Sequence, residues 1–413
     1  MITALRGMKD LLPPTSILYE KVIKTCTKIA AKYGYESIHT PHLEATSLFR
    51  RSVGESSDIV GKEMYQFEDK GGNDVCLRPE GTAGVVRAFI EAKLDRAGGV
   101  HRWCYAGSMF RYERPQKGRL REFHQFGVEC FGEGSVYEDA NIITMAYEIL
   151  KSLEIKTTLK LNSLGTASDM AEYKKRLISF LDANDAHICE DCKRRKQTNP
   201  IRVLDCKNES CQIIYANAPL ITDSLGDEAR TDFALLQDIL RQNGVEYELD
   251  ARLVRGLDYY CKTAFEFVSD EIGAQSAVTG GGRYDRLVEY LGGRASYGVG
   301  FAMGIERLMA IMALKQETST MPNGVYVGSL DDEFIPLAFS LANRLRKSVK
   351  AVSCYEPRKL AKHLQAANNG GFKYALIIGE DEARSEQAWV KNLINGDERR
   401  IKFDTLVQEF CDE

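Results

Sequence analysis

The 413-residue sequence predicts an α+β fold followed by a small C-terminal α/β domain. Residues 123–131 alternate with period two, so that Phe126, Val128 and Cys130 share one face of a predicted strand. Apolar residues recur at helical spacing near the N-terminus. After residue 323, predicted strands alternate with predicted helices, which is the pattern of a parallel or mixed α/β domain.

Composition sets limits on function. The chain is long enough for two or three domains with a sizeable core. Its formal net charge of -4 gives no overall basic signal, so any nucleic-acid contact must be local. The N-terminus lacks a signal-peptide pattern, and no run of ~18 apolar residues occurs. The 11 cysteines, an odd number, favour reduced thiols. We therefore expect a cytoplasmic protein with no membrane segment.

The first predicted elements are a helix and a strand. Thr15 or Ser16 caps a helix whose apolar positions run from Leu18 to Tyr33. Residues 35–43 then have strand character, and Pro41 would fit poorly in a central strand. This pattern favours an edge strand.

The segment CLRPEGTAG, residues 76–84, predicts a strand that ends at Arg78-Pro79 and a helix that starts after Thr82. Glu80 and Thr82 would present a carboxylate and a hydroxyl together at this turn. Such a pair suits an ammonium group, which donates three hydrogen bonds. A helix N-cap with an acidic first turn explains the same residues, and both interpretations stay open here.

A hairpin over residues 110–132 is the strongest candidate for a ligand-binding surface. Opposite the apolar face of its second strand lie Gln125, Gly127 and Glu129. Arg111 can share that side if the two strands pair in antiparallel fashion. The loop at 114–121 is basic, which suits a polyanion such as a nucleotide or an RNA end. An ordinary amphipathic hairpin in a half-exposed sheet is the alternative.

A mainly helical insertion is expected at about residues 166–250, after a helix at 136–150 and a strand at 157–161. It contains Cys189, Cys192, Cys206 and Cys211. The spacing permits a zinc site with four thiolate ligands. Free thiols in a small helical insertion are the favoured explanation, so the sequence assigns no metal.

Three glycine-rich or tyrosine-rich segments follow. They are LVRGLDYYCKTAFEF at 253–267, GGGRYDRL at 280–287 and YGVGFAMGIERL at 297–308. Without a ligand, core packing explains the first, a glycine turn the second and a tightly packed strand–helix corner the third. The three adjacent glycines could equally let the backbone approach a ligand. The polar stretch at 310–323 predicts a linker. We therefore expect a first domain at 1–322 and a second at 323–413.

Four segments resemble those of bacterial-type histidyl-tRNA synthetases, which are class II aminoacyl-tRNA synthetases. They are FRYERPQKGR, the FHQFGVE that follows it, RPEGT and RGLDYY. This resemblance implies a catalytic domain with a mostly antiparallel sheet flanked by helices and a C-terminal anticodon-binding domain. It also implies ATP-dependent formation of histidyl-adenylate and pyrophosphate, then transfer of histidine to the 3′ end of tRNA(His). Mg2+ and a homodimer are implied as well, with the dimer interface near the 35–43 strand.

The resemblance assigns roles to individual residues. Arg111 and Arg255 are the catalytic candidates. ATP binding falls to Arg111, Glu113, Arg119 and Arg307. Histidine binding falls to Glu80, Thr82, Gln125, Glu129, Tyr259, Tyr260 and Tyr284. Two alternatives remain: a non-catalytic regulatory subunit of a histidine-biosynthetic transferase, and a class II synthetase for another amino acid, against which RGLDYY argues.

Overall fold

The computed structural model describes residues 2–411, except 55, 56, 58, 116–118, 207, 255–258, 273–276 and 316–321. Contacts divide the chain into two compact units, Met1–Glu317 and Thr318–Glu413. Within the described ranges, no helix is long and apolar enough to cross a bilayer.

The first unit is built on a sheet of eight strands. Its strands, with those of a small second sheet, are β1 (Glu36–Ser37), β2 (Leu43–Ala45), β3 (Tyr65–Glu68), β4 (Asp74–Leu77), β5 (His101–Phe110), β6 (Glu122–Phe131), β7 (Thr158–Ser163), β8 (Glu248–Leu249), β9 (Cys261–Val268), β10 (Ala277–Arg283) and β11 (Gly298–Gly304). The large sheet has the order β1-β5-β6-β11-β10-β9-β7-β8, and the small one β2-β4-β3. Only the two edge strands of the large sheet, β1 and β8, pair in parallel. The predicted mostly antiparallel sheet is confirmed.

Helices cover this sheet and build its core. They are α1 (Thr15–Lys32), α2 (Thr46–Val53), α3 (Thr82–Glu91), α4 (Leu94–Ala97), α5 (Val136–Ser152), α6 (Ala167–Ala183), α7 (Glu190–Thr198), α8 (Glu209–Tyr215), α9 (Asp227–Gln242), α10 (Leu287–Tyr290) and α11 (Ile305–Lys315). Apolar residues of α1, α5, α9 and α11 form one cluster with Phe126, Val128 and Cys130 of β6. The predicted apolar face of β6 is therefore confirmed, and it leaves the opposite face for the polar residues.

The single strand predicted over residues 35–43 is wrong. β1 ends at Ser37 and β2, which begins at Leu43, belongs to the small sheet. Between them, the Arg78 guanidinium donates to the carbonyl and hydroxyl oxygens of Thr40, both at 2.9 Å. A carbonyl held by a buried arginine is not free for a strand ladder, and Pro41 has no N–H to donate.

A bare glycine turn, one of the two explanations left open for GGGRYDRL, is also wrong. Gly280, Gly281 and Gly282 lie inside β10, between β9 and β11. A Cβ atom on Gly281 would lie 2.3 Å from the carbonyl oxygen of Gly300 on β11. The glycines therefore permit close packing of neighbouring strands.

The insertion is mainly helical, as predicted, and comprises α6 to α9 with short 3-10 turns between them. The basic run in α7 is paired locally. Lys193 contacts Glu190, Arg194 contacts Asp191, and Lys196 contacts Asp182 and Asp185. This run therefore forms part of a network of ion pairs on the helix surface.

The C-terminal unit is a mixed α/β domain. Its elements are β12 (Val325–Ser329), α12 (Ile335–Leu345), β13 (Ala351–Ser353), α13 (Leu360–Asn369), β14 (Tyr374–Ile378), α14 (Glu380–Ser385), β15 (Gln387–Asn392), β16 (Glu398–Lys402) and α15 (Leu406–Cys411). The sheet order is β13-β12-β14-β15-β16, with the first three strands parallel. The boundary at 322/323 stays a prediction; α11 extends to Lys315, so part of the predicted linker at 310–323 is helical.

Candidate active site

A cavity of about 260 Å³ lies over the polar face of β6. The strand register explains how its floor forms. On β11, Gly304 lies opposite Gln125, and Gly300 lies opposite Glu129. A Cβ atom on Gly300 would fall 2.1 Å from the Glu129 carboxylate, so only glycine leaves room for that side chain.

Most of the residues proposed from the sequence line this one cavity. They are Glu80, Thr82, Arg111, Glu113, Arg119, Gln125, Glu129, Tyr259, Tyr260 and Arg307. Tyr284 does not line the cavity; it is buried behind Glu129 and donates a hydrogen bond to the Oε2 atom of that residue. Arg255 lies outside the described residues. Side chains from segments more than a hundred residues apart in sequence thus meet at one place.

The Glu129 carboxylate is held by three hydroxyl groups. Thr82 donates to Oε1 at 2.7 Å, Tyr105 donates to Oε1 at 3.4 Å, and Tyr284 donates to Oε2. The residue is only 1% exposed. Within the described ranges it makes no ion pair with a lysine or arginine. Its charge is therefore stabilised by hydroxyl dipoles alone.

The environment of Glu129 favours the protonated form. Burial is the largest influence and raises the pKa of its carboxyl to about 8, although the hydrogen bonds from Tyr284 and Thr82 oppose that rise. A buried carboxyl poised this way gains most from a ligand that brings an N–H donor or a positive charge. The imidazole ring of histidine can provide either.

Glu80 and Thr82 sit at the start of α3. Both carboxylate oxygens of Glu80 accept backbone N–H bonds, from Thr82 at 2.6 Å and from Ala83 at 2.9 Å. Glu80 therefore accepts from two of the first N–H groups of α3, although the N-cap residue is Gly81 and the first turn holds no acidic residue. Since Glu80 also lines the cavity, its remaining lone pairs are available to a ligand. Burial raises the pKa of the Glu80 carboxyl, against the two N–H bonds.

Three guanidinium groups form a positively charged part of the cavity. Burial, and then the positive charges of Arg119 and Arg111, lower the pKa of Arg307. Arg111 is fixed by a bond from Nε to the carbonyl of Pro79 at 2.9 Å, and Arg119 pairs with Glu113 at 2.8 Å. The three guanidinium groups lie close enough to affect one another, and such a group of cations suits a polyanion, although the Glu113 and Glu266 carboxylates lie nearby.

A glycine inside a strand can mark a place where a ligand approaches the backbone, but Gly127 makes room for a neighbouring side chain. A Cβ atom there would lie 2.3 Å from the ring of Tyr105, and one on Gly81 would lie 2.2 Å from the same ring. The two glycines therefore make room for Tyr105, rather than for a ligand. Tyr105 lies opposite Gly127 in the β5–β6 register, and this places its hydroxyl against Glu129.

Sequence reasoning missed Tyr105 and Thr279. Tyr105 lies two and four residues before Gly107 and Met109, so all three side-chain positions are on the same face of β5. This alternation was the available signal for Tyr105. Thr279 gave none, because no strand was predicted at that position. Among the described residues, the Oγ1 atom of Thr279 and the Oε1 atom of Gln125 are buried without a hydrogen-bond partner. Both line the cavity, where a polar ligand would satisfy them.

Comparison with known proteins identifies the family. A family model described as Histidyl-tRNA synthetase matches residues 7–308, and one described as Anticodon binding domain matches residues 311–413. The histidine–tRNA ligase of Campylobacter concisus (strain 13826) is 67% identical over 99% of this chain and 100% of its own length. That of Campylobacter fetus subsp. fetus (strain 82-40) is 61% identical, again over 99% and 100%.

A solved structure agrees over the whole chain. The apo histidyl-tRNA synthetase of S. aureus superposes with a TM-score of 0.84 at 33% identity, and the match covers 100% of both chains. The sequence matches, the sheet order and the lining of the cavity lead to the same conclusion: the chain belongs to the histidyl-tRNA synthetase family.

Proposed function

We propose that this chain is a histidine–tRNA ligase. In the first step a carboxylate oxygen of histidine attacks the α-phosphorus of ATP, and the bond to pyrophosphate breaks. In the second step a ribose hydroxyl at the 3′ end of tRNA(His) attacks the carbonyl carbon of the adenylate, and AMP leaves. Neither step requires a covalent protein intermediate, so catalysis consists of positioning and charge stabilisation.

One observation carries the proposal: three arginines and a buried, cation-free carboxylate line the same cavity. ATP is a polyanion, and Arg111, Arg119 and Arg307 supply the matching positive charge. The imidazole of histidine supplies the N–H donor that the Glu129 carboxylate accepts. A cavity that has both the arginines and the buried carboxylate fits a nucleoside triphosphate next to an amino acid with a basic side chain.

The residues divide by the part of the substrate they contact. Arg111 and Arg255 are assigned to the α-phosphate, where guanidinium groups would stabilise the negative charge that builds during attack. Glu113, Arg119 and Arg307 hold the rest of ATP, and Mg2+, when bound, would supply further positive charge to it. For histidine, Glu80 and Thr82 accept from the α-amino group, Gln125 contacts the backbone end, and Glu129, Tyr259 and Tyr260 surround the ring. Tyr284 positions Glu129.

The partners follow from the same assignment. The C-terminal unit matches the anticodon-binding family model, and we assign it the anticodon of tRNA(His). The enzyme acts as a homodimer in the cytoplasm. The residues near β1 contribute to the dimer interface, since that strand is an edge of the large sheet.

The direct test is pyrophosphate exchange into ATP, measured with each of the twenty amino acids before any tRNA is added. We expect exchange with histidine alone, and then charging of tRNA(His) but not of a tRNA for another amino acid. Exchange with a different amino acid would overturn the substrate. No exchange from folded protein, with all twenty, would favour the regulatory-subunit alternative.

A further inference from the structure

Four cysteines converge in the insertion, outside the candidate active site. Cys189 caps the N-terminus of α7, and Cys192 lies in its first turn. Cys206 follows a 3-10 turn, and Cys211 lies on α8. Their four Sγ atoms all lie within 4.8 Å of one another. Three separate chain segments therefore bring their sulfur atoms to one point.

The distances fit a shared metal ion better than they fit a disulfide. In a tetrahedral zinc site with Zn–S bonds of ~2.3 Å, neighbouring sulfur atoms are about 3.8 Å apart. The Sγ atoms of Cys189 and Cys206 are 3.8 Å apart. A disulfide requires ~2.05 Å. These two sulfur atoms are thus spaced as two ligands of one ion would be.

The groups around the sulfur atoms are suited to thiolates. The backbone N–H of Cys189 donates to the Sγ atom of Cys211 at 3.2 Å, and that of Asn208 donates to the Sγ atom of Cys206 at 3.5 Å. The N-terminus of α7 adds a favourable dipole. These groups stabilise negative charge on sulfur, which a neutral apolar thiol does not need.

Simple packing does not account for the convergence. A buried thiol that acts as a small apolar residue needs only apolar neighbours, and Cys26 lies in the apolar cluster of the main core. Cys192, Cys206 and Cys211 instead pack against one another within the small core of the insertion. Within the described ranges, this is the one set of three or more histidine, cysteine or acidic residues that converges on a common point.

We propose that Cys189, Cys192, Cys206 and Cys211 bind one zinc ion with four thiolates. With four protein ligands the site is closed to water, so its role is structural and it has no catalytic position. The ion would hold the N-terminus of α7 to α8 and to the 3-10 turn before Cys206. Binding would release the thiol protons, because only the thiolate is a ligand.

Metal analysis of the full chain tests the proposal. The protein is purified without chelator, under reducing conditions and with any histidine tag removed, and its metals are measured by mass spectrometry. We expect about one zinc ion per chain. Cys206→Ser and Cys211→Ser should each lose most of it. Cys354→Ser is the matched control, since that half-buried thiol lies in the C-terminal unit and should leave the zinc content unchanged.

A second measurement covers variants that do not fold. Wild-type protein is stripped with a chelator and titrated with Co2+, and we expect the visible bands of tetrahedral cobalt with a thiolate charge-transfer band. Cys211→His should keep metal binding, because imidazole can replace one thiolate. The proposal is overturned by a wild-type chain that holds neither zinc nor cobalt, by iron in place of zinc, or by equal zinc loss in Cys354→Ser.

Discussion

Glu129 and Asp139 are two carboxylates of the same unit with almost the same burial, 1% and 2% exposed, but with different partners. Asp139, on α5, accepts from Nε of Arg283 at 2.9 Å and from the hydroxyl of Thr263 at 2.5 Å. Glu129 has only hydroxyl donors. The charge of Asp139 is neutralised by Arg283 within the protein. Glu129 has no such cation among the described residues, and we propose that a ligand supplies the positive charge.

The difference separates a structural group from a proposed binding group. The Arg283 guanidinium also donates to the carbonyls of Glu133 at 3.0 Å and Ser135 at 3.2 Å, so it ties β10 to the loop before α5. All of its donor nitrogens are used within the protein. Glu129 instead faces a cavity whose other residues include buried acceptors without partners. Burial alone therefore does not indicate function; the missing cation does.

The largest expected effect is on stability. Arg283→Met leaves Asp139 buried without a cation, and we expect the free energy of unfolding to fall by about 3–5 kcal/mol. Urea unfolding of the full chain measures it. Arg286→Met is the matched control, because this half-exposed arginine lies 4.0 Å from Glu289 and its loss should change stability by less than about 0.5 kcal/mol. Equal stability of the two variants would contradict the structural role of Arg283.

Glu129→Gln should instead affect binding. Glutamine keeps the shape of the side chain but cannot take a negative charge, so kcat/KM for histidine should fall by about 10³-fold, or ~4 kcal/mol. The KM for ATP should change by less than about threefold. Pyrophosphate exchange at varied histidine and at varied ATP separates the two.

The counterpart of that variant is Asp139→Asn. It should lower the unfolding free energy while leaving the histidine KM of the folded enzyme unchanged, measured at a temperature below its unfolding transition. If Glu129→Gln raised the histidine and ATP requirements equally, Glu129 would not belong to the side-chain pocket.

The sequence predicted the local features of this comparison better than the non-local ones. Period-two alternation correctly placed Phe126, Val128 and Cys130 in the core, and therefore Gln125 and Glu129 on the other face. That inference needs only the pleat of one strand. The residues from other segments of the chain were proposed only because their sequence motifs resemble those of a known family.

The rest depends on contacts between distant segments. That Gly127 accommodates the ring of Tyr105 follows from the β5–β6 register, which a single strand pattern does not contain. The glycines of β10 fit a turn or a packed strand equally well, and only their neighbours decide. The strand at 35–43 is interrupted by Arg78, about forty residues away. The convergence of the four cysteines likewise needs three separate helical segments.

Because of Glu129, the free energy of unfolding should depend on pH. The Glu129→Gln substitution should remove this contribution. Its folded pKa, about 8, lies above the ordinary value of 4.5, so the folded state holds a proton that the unfolded state has lost. The stability gained this way is complete below pH ~4.5 and is lost as pH rises to ~8, at about 1.4 kcal/mol per unit. Unfolding free energies of wild type minus Glu129→Gln should decline over this range; a flat difference would contradict the raised pKa.

The smallest expected effect is on the pKa of Glu129, and it tests whether hydroxyl donors stabilise the charged form of this carboxylate. Tyr284→Phe removes the donor to Oε2, and a bond to a charged acceptor is worth roughly 1.5 kcal/mol, so the pKa of Glu129 should rise by about one unit. The infrared band of the protonated carboxyl, identified by its loss in Glu129→Gln, reports this midpoint directly. Tyr290→Phe, at an exposed tyrosine of α10, should leave it in place. An unmoved midpoint in Tyr284→Phe would mean that burial alone sets the state of Glu129, and that its hydroxyl partners serve only packing.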